Sequence, residues 1–211
     1  MFFDDRPSAG KLLAERLLSL KLALKNPIVL GIPRGGIPIG DCIAKALNAP
    51  LDVLVLRKLP IPDNPEAGFG AVTLDKIPIF NELLLPQLGL TGPQINKIID
   101  NVHKEVIRRN KLYRKDRPLP ILKGRSVILT DDGLATGFTM LAAVRFAKGE
   151  KAGEVIVAAP VAHQEAYRII EKEADKTIVL HISQEPYFAV ASFYREFTDM
   201  EDSEVIAYLE K

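Results

Sequence analysis

Short apolar runs alternate with helix-period segments along most of this chain, and that alternation restricts the fold to a few topologies. Ile28-Val29-Leu30-Gly31-Ile32 is bounded by prolines and lacks polar alternation. It reads as a strand buried on both faces. Val53–Leu56 and Ser126–Thr130 read the same way, and Glu154–Ala159 and Thr177–Ile182 read as two further strands. Between them lie helical segments at about Ile37–Leu47, Gln94–Lys115, Gly137–Lys148 and Gln164–Glu173. The second of these carries Ile95, Ile98, Ile99, Val102, Val106 and Leu112 along one side. A further helix opens near Pro7 under an Asp5 or Ser8 cap, carries Leu12, Leu13, Leu17, Leu20 and Leu24, and ends at Asn26-Pro27. Strands alternating with helices imply right-handed crossovers and a mostly parallel α/β sheet with helices on both faces. The 211 residues suit a single domain of this kind.

Two stretches depart from the pattern. From Leu59 to about Pro93 the chain holds many prolines and glycines and reads as an irregular, mobile insertion spanning 59–92. A small hairpin is expected within it, around Phe69–Thr73 and Ile77–Phe80. From Ser183 to the end the chain is rich in aromatic residues and closes in a short helix, a C-terminal hood segment over residues 183–211.

A net charge of +1 supplies no whole-molecule field toward nucleic acid or an anionic membrane. The single cysteine, Cys42, excludes an internal disulfide and any metal site of several thiolates, and it fits a reducing cytoplasm. It reads as a small buried residue on a helix. The N-terminus shows no basic region followed by an apolar run, and no apolar stretch reaches membrane-spanning length. There is no P-loop motif, no full dinucleotide fingerprint and no HExxH.

Chemistry concentrates where the third strand runs into Asp131-Asp132-Gly133-Leu134-Ala135-Thr136-Gly137-Phe138-Thr139. In an open α/β sheet, ligands bind at the C-terminal strand ends. Ala135 to Thr139 enter a helix, so backbone N–H groups and two hydroxyls can converge on a phosphate. The helix dipole adds about 0.3–1 kcal/mol per charge. Two adjacent carboxylates would repel a bare polyanion. They suit instead the vicinal diol of a ribose, or a magnesium ion and a developing cation. Both reach one sugar only if the strand has already turned, because neighbouring strand residues face opposite ways. The alternative reading is an ordinary strand-to-helix turn with an Asp cap.

Val127 through Thr139 resembles the signature with which type I phosphoribosyltransferases bind 5-phosphoribosyl-1-pyrophosphate (PRPP). The signature usually carries an aliphatic residue or Ser where this chain has Gly133. The resemblance extends to Asp5-Arg6 with Ala9-Gly10, to Pro33-Arg34-Gly35-Gly36, to Leu51–Leu59 and to Asn64-Pro65-Glu66. These are similar to a bacterial and archaeal group of phosphoribosyltransferases without a firmly assigned acceptor. The resemblance implies a transferase that uses PRPP and Mg2+, passes the phosphoribosyl group to a nitrogen acceptor such as a nucleobase, and releases pyrophosphate. It implies a 5-phosphate site at Ala135, Thr136, Gly137, Phe138 and Thr139. It implies a ribose and magnesium site at Asp131 and Asp132, reached through water or the ribose hydroxyls. Pyrophosphate would be held by Arg34, Gly35 and Gly36, where one peptide often adopts a strained geometry, and by Arg57 and Lys58 at the end of the second strand. Glu66 lies in the stretch that would close over substrate. Tyr187 and Phe188 either stack on the acceptor base or pack against the core. A homodimer is usual for the fold.

The other open reading is a regulator that binds PRPP or a nucleotide without turnover. Residues 93–125 hold ten Lys or Arg against three Asp or Glu. They lack the interleaved aromatics of a nucleic-acid surface and read as a solvated helix face or subunit contact. His103, His163 and His181 have no ligand spacing and read as packing or surface residues.

Overall fold

The computed structural model describes residues 2–62, 64–115 and 117–210, apart from the side chains of Pro65 and Glu66. The Glu66 side chain, a candidate in the sequence, lies outside the described residues.

The centre is a parallel sheet of five strands in the order β2-β1-β6-β7-β8. These strands are β1 (Ile28–Gly31), β2 (Leu51–Val53), β6 (Ser126–Thr130), β7 (Glu154–His163) and β8 (Lys176–Ser183). Strand residues alternate between two cores, as their period of two requires. Ile28, Leu30, Val127, Leu129, Val155 and Val157 pack with the helices α4 (Phe138–Gly149) and α5 (Gln164–Glu171). Val29, Ile128, Ile156 and Ala158 pack on the other face with α1 (Arg6–Ser19) and α2 (Gly36–Leu47). The β1–β6 register pairs Gly31 with Thr130, so the strands end together at one rim. Among the described residues, no helix is long and apolar enough to cross a membrane.

A second, antiparallel sheet lies beside the first. Its strands are β3 (Arg57–Ile61), β4 (Asn64–Val72) and β5 (Pro78–Phe80). It packs through Leu59, Phe69 and Val72 against the long helix α3 (Gly92–Arg114) and the C-terminal helix α6 (Asp202–Leu209). The insertion expected to be irregular therefore holds most of this small sheet. Register shifts around Pro60 let the ladder tolerate its prolines. The expected hairpin is its β4–β5 portion.

Three boundaries also differ from the sequence reading. α1 stops at Ser19, because Lys21 takes a left-handed conformation (φ 48°) and turns the chain. β2 occupies Leu51–Val53, where it pairs with β1, while Leu54, Val55 and Leu56 are buried in the crossing to β3. β7 runs on to His163, since its last residues receive a partner from the loop after β6.

Candidate active site

β6 is buried along its whole length and delivers Asp131 to the rim of the sheet. The backbone N–H of Asp132 donates to Asp131 Oδ1 at 2.9 Å. This bond turns the chain, so the two carboxylates no longer alternate as strand neighbours would. Leu134 then forms a parallel bridge to Ala162 of β7, with Leu134 N–H to Val161 O at 2.9 Å and His163 N–H to Leu134 O at 2.8 Å. The bridge fixes the loop at its midpoint and leaves Ala135 and Thr136 exposed beyond it. Gly137 enters α4 with φ 80°, a conformation that favours glycine. Leu141 N–H donates to Gly137 O at 2.8 Å, so the amides of Phe138, Thr139 and Met140 belong to the open first turn.

A cavity of about 190 Å³ sits against this loop and is lined by Asp131, Thr136, Gly137, Thr139, Lys58 and Gly70, among others. A larger cavity of about 530 Å³ shares Gly68, Ala135, Thr136 and Phe138 with it. Its far wall includes His163 and Phe188. The loop is thus the partition between an anion-sized space and a space of small-molecule size.

The carboxylate pair is held asymmetrically. Arg6 Nε lies 2.8 Å from Asp132 Oδ2 and both side chains are largely covered. Tyr194 Oη donates to the Asp132 carbonyl at 2.6 Å. Burial first, then the neighbouring Asp132 charge, pushes the Asp131 carboxyl well above its ordinary range. Burial raises Asp132 too, against the opposing pull of Arg6. Of the two, Asp131 is therefore the carboxyl whose charge the fold disfavours more.

A carboxyl whose folded pKa exceeds its unfolded pKa holds its proton better in the folded state. Its contribution to stability is complete below the unfolded pKa and is lost as pH rises through the folded one. Asp131→Asn removes this penalty. The variant is expected to melt about 2–4 °C above the wild type at neutral pH. That advantage should shrink toward about pH 4, and a melting series across pH checks both sign and slope.

Residues 33–36, expected from the sequence to form a pyrophosphate loop, adjoin the pair from β1. The Pro33–Arg34 peptide is cis. Gly35 packs directly on Asp132: a Cβ there would lie 1.9 Å from Asp132 Oδ2. The Arg34 side chain turns toward α6 and lies 3.9 Å from Asp202 Oδ1. Arg57 and Lys58 open β3 rather than close the second strand, and strand alternation separates them. Lys58 lines the smaller cavity, while Arg57 reaches Glu105 of α3 at 3.2 Å. Glu105 also binds Arg108 and Arg109, and these bonds hold its carboxyl down to about 2.

The remaining candidates divide. Phe188 packs on His163 and Phe193, whereas Tyr187 is 95% exposed and lines neither cavity. The basic stretch is not uniformly solvated, because Arg114 is buried against Asp52. Cys42 is half-buried rather than buried. His103 contacts the Leu74 carbonyl and His181 packs on Phe193. Arg6, Tyr194 and the placement of His163 were not legible as site features. Only the Asp5-Arg6 motif signalled one of them, and it did not name the partner.

Gly133 departs from the usual signature for a steric reason. A Cβ there would lie 2.6 Å from Val190 Cγ1, on the aromatic C-terminal segment. Gly133→Ala is expected to cost about 1–3 kcal/mol of stability. Adding Val190→Ala should recover most of that loss in a denaturant titration.

Comparison with known proteins places the chain in a family. The family model described as phosphoribosyl transferase domain matches residues 7–196. A Mycobacterium tuberculosis protein named "Putative phosphoribosyl transferase Rv0571c" is 38% identical over 209 residues, which is 99% of this chain. The chain spans 46% of that protein's length. The crystal structure of TT1426 from Thermus thermophilus superimposes with a TM-score of 0.81 at 36% identity, covering 99% of this chain and 98% of that one. The AQ2163 protein from Aquifex aeolicus shares the fold at a TM-score of 0.53 and 16% identity, over 84% of this chain and 74% of its own. With a family match over nearly its whole length and a phosphate-type loop at the strand ends, this chain belongs to the phosphoribosyl transferase domain family.

Proposed function

We propose that the chain is a phosphoribosyltransferase that binds PRPP with Mg2+ and transfers the phosphoribosyl group to a nitrogen acceptor, releasing pyrophosphate. One observation carries the reading: an open helix N-terminus and the recessed Asp131 carboxylate border a single small cavity, with Asp132 next to it in the chain, and a larger cavity shares its wall. The first space suits a sugar phosphate and the second a planar base.

In this reading the amides and hydroxyls of Thr136 to Thr139 hold the 5-phosphate, with Ala135 shaping the loop. Asp131 and Asp132 accept hydrogen bonds from the ribose diol and stabilise positive charge that develops at the anomeric carbon. The acceptor nitrogen bonds to that carbon as its bond to pyrophosphate oxygen breaks. The electron pair leaves with pyrophosphate, and the acceptor's N–H proton passes to solvent or base. Lys58, with Gly35 and Gly36 of the neighbouring loop, faces the departing charge, and the Arg34 side chain would join them only by leaving Asp202. Arg57 contributes at longer range, from the other face of β3. Phe188 offers the ring on which an acceptor base stacks, with Tyr187 outside that contact.

Magnesium fits the donor set. Among the described residues no group of three or more His, Cys, Asp or Glu side chains could hold a metal. Mg2+ characteristically takes one or two carboxylates and completes its shell with substrate oxygens and water. Asp131 and Asp132 would supply the protein's share, and the ion would neutralise pyrophosphate charge.

We read residues 1–211 as one domain, with 59–92 as an insertion over the site and 183–211 as its hood. A cytoplasmic homodimer is part of the proposal, and light scattering reads the assembly. The deciding experiment is calorimetric titration with PRPP, with and without magnesium, followed by a pyrophosphate-release screen of purines, pyrimidines and amines. Magnesium-dependent binding with release supports the transferase. Binding with no release for any acceptor class would assign a PRPP sensor instead. No binding by the folded protein would sink both.

A further inference from the structure

The Asp5-Arg6 motif with Ala9-Gly10 has no role in the proposed chemistry, yet each of its residues has a defined place. Asp5 caps α1 by accepting from Ser8 N–H at 2.7 Å. Ala9 is fully buried, and a Cβ at Gly10 would lie 3.0 Å from Cys42 Cβ, so the first turns of α1 press closely on α2. Cap and close packing together aim Arg6 across the end of the sheet. There its Nε binds Asp132 Oδ2 at 2.8 Å, across 126 residues of sequence.

Arg6 is itself held on two further sides. Its Nη1 donates to the Thr198 carbonyl at 2.8 Å, and its guanidinium lies 3.9 Å from the centre of the Phe197 ring. The Phe197 ring packs on Tyr194, which donates to the Asp132 carbonyl and packs on Phe3. Backbone bonds join Phe3 N–H to Phe193 O and Arg195 N–H to Phe3 O, at 2.8 and 2.9 Å. The N-terminal segment and the aromatic C-terminal segment therefore form one clamp around Asp132. Only a guanidinium meets all three demands at once: an ion pair, a second donor at a fixed angle and a flat face for a ring.

We propose that Arg6 is a positioning residue for ribose recognition: it occupies Oδ2 of Asp132 and so turns Oδ1, beside Asp131, toward the sugar's vicinal hydroxyls. Asp131 Oδ1 is likewise taken, by Asp132 N–H. Asp131 lines the small cavity and Asp132 follows it directly, so in this proposal the second oxygen of each carboxylate meets one of two adjacent hydroxyls. The inference rests on the PRPP reading and assigns a function to the motif that reading leaves unused.

The test is calorimetry with magnesium present, on wild type, Arg6→Met and Arg6→Lys, with melting curves for all three. The probes are PRPP, ribose 5-phosphate and 2,3-dideoxyribose 5-phosphate, which lacks the hydroxyl pair. Arg6→Met is expected to weaken PRPP and ribose 5-phosphate by about 10- to 100-fold. Its affinity for the dideoxy probe should stay within about 3-fold of wild type. Arg6→Lys keeps the charge but not the geometry, so it should lose about 3- to 10-fold on the hydroxyl-bearing probes alone. If Arg6→Met does not fold, Arg6→Lys decides by itself. Wild-type affinity in a folded variant would overturn the inference, and so would an equal loss on the dideoxy probe, which marks a merely structural role. A wild type that binds PRPP while the variants show either pattern leaves the function standing and removes only Arg6. A wild type that binds none of the probes removes both.

Discussion

Replacing Asp131 and Asp132 together with asparagine is expected to weaken magnesium-dependent PRPP binding by about 100- to 10,000-fold while the protein stays folded. Each carboxylate is taken to accept a charge-assisted hydrogen bond from a ribose hydroxyl, worth about 1.5–3 kcal/mol. Two such bonds are worth about 3–6 kcal/mol, and every 1.4 kcal/mol is about tenfold in affinity. Turnover should fall further, because the pair's charge matters most once the anomeric carbon becomes cationic. The fold should survive for different reasons at the two positions. At Asp131 the substitution removes a carboxyl that burial and its neighbour disfavour. At Asp132 an amide oxygen can still accept from Arg6, whose other bond, to Thr198, is untouched. Calorimetry with a melting curve on the same sample separates the outcomes. A folded double variant that binds Mg-PRPP like the wild type would remove these residues from the site.

That site was legible in the sequence because its parts are local. Nine consecutive residues carry the carboxylates, the small-residue loop and the helix entry, and the apolar β6 before them fixes where they emerge. Four of the five parallel strands were legible for a related reason, while the run at Val53–Leu56 touched β2 only at Val53. A strand covered on both faces must be continuously apolar, and Ile28–Gly31 and Ser126–Thr130 are buried throughout. Of the small sheet only the β4–β5 hairpin was legible, because Pro60 and Gly68 punctuate the rest like a loop. Its stability comes from bulged pairing and from packing of Leu59 and Phe69 on α3, which no local pattern encodes. The same omission hid the separation of Arg57 from Lys58. Two adjacent basic residues look like one anion site until the strand that alternates them is known. Arg6 was invisible as a partner of Asp132 for a simpler reason: the ends of the chain meet only in three dimensions.

Asp52→Ala is expected to destabilise the protein by about 3–5 kcal/mol, and Arg114→Met by no more than about 1–2 kcal/mol. The pair ties the last turn of α3 to β2. Arg114 Nη1 and Nη2 reach the two Asp52 oxygens at 2.7 and 3.1 Å, and Nη1 also donates to Val53 O at 3.2 Å. Nη2 donates to Pro118 O as well. The partners differ in their access to water. The Arg114 side chain is 2% exposed and the Asp52 side chain 15%. Removing the carboxylate therefore strands a guanidinium that the solvent cannot reach. Removing the guanidinium leaves a carboxylate that water can approach, and methionine refills most of the vacated apolar volume. At about 2–4 °C per kcal/mol for a protein of this size, Asp52→Ala should melt some 6–20 °C below the wild type. The double variant should lose less than the sum of the two, since the stranded charge is gone. Neither residue lines the cavities beside Asp131, so both folded variants should bind Mg-PRPP within about 3-fold of the wild type. Denaturant titrations of the four proteins complete the cycle. If Arg114→Met proves the costlier single change, the guanidinium contributes chiefly through the Val53 and Pro118 carbonyls, and the ion pair is not what holds α3 to the sheet.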